Sequence, residues 1–202
     1  MKYVALDTEG SGLFDYTKPA DAEGQPRLAE LAMIFVNDDL EVEGTYQAYV
    51  QPDGWEMQQG ATKANGLTTE FLREKGVAVA DVLCAYSAAI NEGRIVVAHN
   101  SQHDLKQLRG ELRRAGMPDL FEQTANFCTM RALTDVCRIL NARGNGWKWP
   151  KLSEACVHFG LDIFGDHTAM TDARAVLLLM REMKKRGMLP EPKVHYARVR
   201  AE

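Results

Sequence analysis

The sequence predicts one α/β domain built on a mixed sheet, with an antiparallel three-strand meander, further parallel strands and flanking helices. Three observations carry this. The first fifty residues hold three β-rich segments separated by turn signals. After Pro52 the apolar spacing changes to the threes and fours of helices. Later, the apolar run "RIVVAH" lies between helical segments, as a strand buried in a parallel sheet would. At 202 residues, 46% hydrophobic and 26% charged, the chain is long enough for one such domain and short for two.

The elements follow in order. "KYVALDTEG" alternates and predicts a strand close to the N-terminus, and the Gly, Pro and Asp content of "FDYTKPADAEGQP" predicts a loop. "RLAELAMIFV" and "LEVEGTYQAYVQP" predict two more strands, joined through the turn signal "NDD". "WEMQQGATKANG" reads as a short helix stopped by Gly66. "TTEFLREKG" reads as a second, with a Thr cap and Gly76 as its stop, and "VADVLCAYSAAINEG" as a third ending at Gly93. "RIVVAH" feeds the helix "SQHDLKQLRGELRRAG", with Ser101 expected as its cap and Gly116 as its stop. "FCTM" is a short strand, "RALTDVCRILN" a helix, "RGNGWKWPK" a loop and "LSEACVHFG" a helix. "HTAMTDARAVLLLMREM" supplies the last helix, and the tail "PEPKVHYARVRAE" shows no period, as a mobile segment would.

Composition excludes several classes. The longest apolar runs fall far below the roughly 20 residues that span a bilayer, and no basic-then-apolar leader opens the sequence. Cys84, Cys128, Cys137 and Cys156 are scattered, as expected of reduced thiols in the cytoplasm rather than of a disulfide or zinc framework. The net charge of −4 is unevenly spread: residues 1–101 hold 16 acids against 7 bases, and residues 102–202 hold 12 against 17. That asymmetry permits a basic rim beside an acidic pocket, while a solvated helix face explains any single base.

Four acids are out of place. In the last helix Asp172 shares a stripe with Val176, Leu179 and Met183, where an unpaired carboxylate would lose its hydration. On the first strand Asp7 and Glu9 lie on one face with Tyr3 and Ala5, about 6.6 Å apart along the strand. They repel each other unless a cation or solvent relieves them. Asp104 sits in the first turn of its helix, above Leu108 and Leu112, where favourable interaction with the helix dipole is the alternative explanation. One arrangement accounts for all four, a convergence on divalent cations, Mg²⁺ or Mn²⁺, which prefer oxygen ligands. A pair of such ions roughly 3.5–4 Å apart is a standard device for cleaving phosphodiesters. His167, five residues before Asp172, adds a proton acceptor near neutral pH. His103 and His158 read as surface or capping residues.

"DTEG" with Asp7 and Glu9, "HNSQHD" with Asp104 and "HTAMTD" with His167 and Asp172 resemble the three motifs of the DEDDh (DnaQ-like) 3′–5′ exonucleases, over roughly residues 2 to 183. "KANGLTTEFL" is similar to the family's segment before the second motif. The resemblance implies a ribonuclease H-like fold, with an exonuclease domain over 1–187 and a tail over 188–202. It also implies two metal ions: Asp7 bridges both, Glu9 and Asp172 hold the first, and Asp104 holds the second, partly through water. His167 then acts as the general base toward the attacking water. Thr8, Gly10, Ser11, Gly12 and Leu13 match the stretch that contacts the terminal nucleotide, with Leu13 as an apolar wedge, and Asn100 matches a substrate-side residue. "GSG" after Glu9 departs from the more frequent Thr-rich version.

The implied partner is the 3′ end of single-stranded DNA or RNA, with a polymerase or other replication or repair protein as a further candidate, and no membrane. An RNA-directed exonuclease is the alternative enzyme, because recognition of the 2′-hydroxyl decides that question. A non-catalytic nucleic-acid-binding module is the alternative class, although all five site residues are present. "GWKWPK" interleaves Trp147 and Trp149 with lysines. The expectation is that the indoles pack the loop against the core, and base stacking is the alternative.

Overall fold

The meander forms as its alternation predicts. β1 (Tyr3–Gly10) pairs antiparallel with β2 (Leu28–Val36), which pairs antiparallel with β3 (Val42–Tyr49). The "NDD" turn is fastened by Asn37, whose Oδ1 accepts from the backbone N–H groups of Asp39 and Glu41. The structure, a computed structural model, describes residues 1–162 and 168–194. In it β4 (Ile95–Ala98) and β5 (Asn126–Cys128) add parallel strands on the far side of β1, in the order β3-β2-β1-β4-β5.

Helices cover both faces. α1 (Gln59–Asn65), α2 (Thr69–Lys75) and α3 (Val79–Asn91) follow the meander, and α4 (Ser101–Arg114) follows β4. α5 (Thr129–Ala132), α6 (Thr134–Cys137), α7 (Leu152–His158) and α8 (Ala169–Lys185) complete the described residues. On one face Val4, Leu6, Leu31 and Met33 pack with Leu83 of α3 and Leu108 of α4. On the other, Tyr3, Ala5, Ile34 and Val97 pack with Val176 and Met180 of α8. This is the mixed sheet flanked by helices that the sequence predicts.

Three local expectations are corrected. The cap of α4 is Asn100, in the left-handed region (φ 74°, ψ 46°), and Ser101 is the first helical residue. Asn is among the side chains that adopt this conformation at least cost. The segment from Trp55 to Gln58 is not helical, because Trp55 and Met57 turn inward against Ala29, Leu67 and Leu72. "RALTDVCRILN" is not one helix. α5 and α6 divide at Leu133, which is fully buried under α7 and α8, and Arg138 in the left-handed region ends the second piece. The start of the tail is fastened, since Lys193 exchanges two backbone hydrogen bonds of 2.9 Å with Asn126 of β5. The rest of it, 195–202, lies outside the described residues.

Candidate active site

The parallel pairing of β1 with β4 ends at Ala5 opposite Val97, while β1 runs on beside β2 as far as Gly10. The last turns of β1 therefore border a cleft at the carboxyl ends of the parallel strands, where open α/β sheets hold their ligands. Asp7 and Glu9 lie there on the α8 side of β1, on the same face as Tyr3 and Ala5. The first turn of α8 brings Asp172 to meet them, and that turn is capped by Thr168, whose hydroxyl accepts from the Thr171 N–H at 3.2 Å. Oxygens of Asp7, Glu9 and Asp172 lie within 4.8 Å of one another, and all three residues are half-buried. Asp172 is thus the end of an apolar stripe at the point where the stripe reaches the cleft: Val176 goes to the sheet, and Leu179 and Met183 to α7.

Asp104 stands apart from this triad. It is buried on α4, and its Oδ1 accepts from both the N–H (3.0 Å) and the hydroxyl (2.9 Å) of Thr8. Thr8 points to the α4 side of β1, opposite Asp7 and Glu9, so its side chain positions Asp104 and is buried itself.

The electrostatics are those of carboxylates buried beside one another. Burial pushes the Asp7 carboxyl well above the usual carboxylate range, and Asp104, Asp172, Glu9 and Glu30 add to that rise in turn. Glu9 is pushed up to about 7, chiefly by burial; a hydrogen bond from Asn65 opposes the shift, and Glu30, Asp172 and Asp104 reinforce it. Burial also raises Asp104, against the pull of His103 and Thr8. Among the described residues no lysine or arginine forms a salt bridge with Asp7, Glu9 or Asp104. A half-buried all-oxygen cluster in this state is suited to a hard divalent cation.

Two residues join the site without having been singled out in the sequence. Glu30 of β2 stands opposite Glu9, is 1% exposed, and accepts from Gln47 Nε2 (2.6 Å) and from the Ala169 N–H (3.3 Å) at the start of α8. Its signal was present, as the one acid inside the apolar run "LAELAMIFV". Asn65, at the end of α1, donates from Nδ2 to Glu9 Oε2 at 3.2 Å. Nothing in its local pattern marks that contact.

The loop after Glu9 is held from behind. Gly10 faces Gln107, whose Oε1 would stand 3.0 Å from a Cβ at this position, so a side chain here would require the buried Gln107 to give by a few tenths of an ångström. Ser11 is buried, its Oγ accepting from the Arg27 N–H at 2.8 Å. Gly12 packs against the Gln58 side chain, and Leu13 is 88% exposed. Asn100 lies at the mouth of the cleft, between β4 and α4. His167 lies outside the described residues.

The profile of the RNase_T family of exonucleases matches residues 4–180. The chain belongs to that exonuclease family. Its motifs place it in the DEDDh (DnaQ-like) group. It is 28% identical over 111 residues to the DNA polymerase III subunit epsilon of Buchnera aphidicola subsp. Acyrthosiphon pisum (strain APS), a match over 54% of this chain and 44% of the relative. Its fold is similar to that of E. coli exonuclease I in complex with a dT13 oligonucleotide (TM-score 0.72, 19% identity), over 92% of this chain and 41% of that one. The same protein in complex with a dA16 oligonucleotide matches with TM-score 0.70 and 20% identity, over 92% and 41%. This chain thus covers less than half the length of these relatives.

Proposed function

We propose that residues 1–187 form a 3′–5′ exonuclease domain that hydrolyses the terminal phosphodiester of single-stranded DNA, and of RNA where the sugar is tolerated, releasing 5′-mononucleotides. The observation that carries this reading is the Asp7, Glu9 and Asp172 triad at the carboxyl end of β1, with Asp104 held beside it by Thr8. The oligonucleotides bound by E. coli exonuclease I and the similarity to a DNA polymerase III subunit epsilon support the choice of substrate.

Asp7, Glu9 and Asp172 would hold a divalent cation, Mg²⁺ or Mn²⁺, and Asp104 would serve a second. Such ions, when bound, neutralise phosphoryl oxygens and make water acidic enough to react near neutral pH. The chain's own residues do the rest. His167 accepts a proton from the attacking water. Asn65 orients Glu9, Thr8 orients Asp104, and Glu30 ties the start of α8 to β2, so that Asp172 meets Asp7. Leu13, 88% exposed, would lie against the terminal base, and Asn100, at the cap of α4, would contact the strand beside it. No described helix is long and apolar enough to cross a membrane, and the cysteines are free thiols, which fits action in the cytoplasm. A DNA polymerase is the assembly to test as a partner.

Product analysis on 3′-labelled and 5′-labelled strands of DNA and RNA, with Mg²⁺ and then Mn²⁺, tests this. Release of 5′-mononucleotides from the 3′ end is expected, with a 3′-phosphate blocking it and a 5′-phosphate not. Cutting of a closed single-stranded circle would overturn it.

A further inference from the structure

A strand entering this cleft brings its phosphates toward a cluster of carboxylates, so the part of the strand beyond the terminal nucleotide needs attraction from elsewhere. The loop at Trp149 offers it. Trp149 is 59% exposed and Trp147 is 42% exposed, so the indoles do not pack the loop into the core as expected. Tryptophan is highly buried on average, and here one is presented on a rigid mount. Pro150, directly behind it, is buried, and its carbonyl is hydrogen-bonded to His99 Nε2 at 2.9 Å. His99 in turn meets Thr129 Oγ1 at 3.0 Å, so the loop is pinned to the end of β4, next to Asn100.

The charge beside this indole is positive. The Arg131 guanidinium lies 5.5 Å from the ring centroid, and its Nη2 donates to Gln102 Oε1 at 3.0 Å. Gln102 stands two residues before Asp104 on α4, so the shelf adjoins the active site. Behind Gln102 and Arg131 opens a cavity of about 710 Å³, also lined by Lys106, Arg109 and Lys193. Among the described residues Arg131, Lys106 and Lys193 form no salt bridge, although Arg109 is paired with Asp119.

We propose that Trp149 and Arg131 form a stacking shelf for an unpaired base upstream of the scissile end, and that the cavity behind Gln102 receives the adjoining phosphates. This subsite rests on the exonuclease reading and extends it: the enzyme grips more of the strand than the nucleotide it removes. Stacking tolerates any base because each has a π-face, so the subsite favours length over sequence. An exposed aromatic under a guanidinium suits such a base.

The test uses the full chain and oligothymidylates. Trp149→Ala is expected to raise KM for a dodecanucleotide by about tenfold, with kcat changed little, and the effect should fade as the substrate is shortened to a dinucleotide. Trp149→Phe should restore most of the affinity. Arg131→Ala should lessen the slope of log affinity against log salt by about 0.7, the share of one phosphate contact on a single strand. In an Asp7→Asn background, where the strand is not consumed, oligothymidylate should quench tryptophan fluorescence, and Trp149→Phe should remove that quenching. A dodecanucleotide KM within twofold of wild type for Trp149→Ala overturns the shelf while leaving the exonuclease reading standing. Equal losses on dinucleotide and dodecanucleotide also overturn it, since they mark a structural role. A wild-type protein that neither binds nor degrades any single strand overturns both readings.

Discussion

Glu111 and Asp104 stand seven residues apart on α4, two turns along the same side of the helix, and each is at most 2% exposed. Their surroundings differ in sign. Glu111 receives Arg27 Nε at 2.8 Å and Nη2 at 3.0 Å, Arg114 Nη1 at 3.0 Å, and the Leu28 N–H at 3.1 Å. Asp104 receives the N–H and the hydroxyl of Thr8, and among the described residues no lysine or arginine forms a salt bridge with it; Asp7, Glu9 and Asp172 stand nearby instead. Burial of a carboxylate is therefore no mark of a site in this protein. The mark is burial among further carboxylates: burial raises Asp7, Glu9 and Asp104, and among the described residues no lysine or arginine forms a salt bridge with these three. At Glu111 the compensation is internal and the role is architectural: it ties the segment before β2 to α4.

This contrast can be broken by substitution. Asp7→Asn keeps the volume and removes one carboxylate of the cluster. It is expected to lower turnover by about 10³-fold, with the circular dichroism unchanged and the metal-free melting temperature equal or higher. Retained activity above a tenth of wild type would count against the metal site. His167→Ala should lower turnover by about 10²–10⁴-fold, yet keep the rise in thermal stability that Mn²⁺ gives by binding the folded state. Asp172→Ala should lose both activity and the Mn²⁺ response while the circular dichroism of the folded protein is kept, and a retained Mn²⁺ response would count against its place in the cluster.

Glu111→Ala should behave in the opposite way. Removing it takes the acceptor from Arg27 and the Leu28 amide and leaves Arg114 with the Ala20 carbonyl, which costs about 3 kcal/mol of stability. Activity per folded molecule should be nearly unchanged, and a urea titration paired with an assay reads both quantities. The smallest effect is on pH dependence. Glu9 holds its proton more tightly in the folded protein than its ordinary value of 4.5, up to about 7, so its contribution to stability is present below 4.5 and is lost as pH rises through 7. The metal-free protein is expected to lose melting temperature over that window, and Glu9→Gln to flatten the decline. A steeper decline in Glu9→Gln would show that the shift belongs to another group.

Much of this was legible in order along the chain. Period-two and period-three-to-four patterns are local, so the meander, the helix stops at Gly66 and Gly76 and the strand at "RIVVAH" follow from neighbours in sequence. The misplaced acids were legible for the same reason, since Asp172 conflicts with its own stripe and Asp7 with Glu9. Glu30 conflicts in the same way inside β2, and was a signal within reach.

The tertiary structure alone decided the rest. Whether a buried acid meets an arginine or another acid depends on which elements the sheet order brings together. Glu111 and Arg27 are 84 residues apart, and Thr8 and Asp104 are 96 apart. Asn65 of α1 reaches Glu9 at the end of β1 from 56 residues away, and the loop that carries Trp149 is tied to the end of β4 by the Pro150 carbonyl and His99. Periodicity states which side of an element avoids water. It carries no information about what stands on the other side of the contact, and the chemistry of this cleft is set by those contacts.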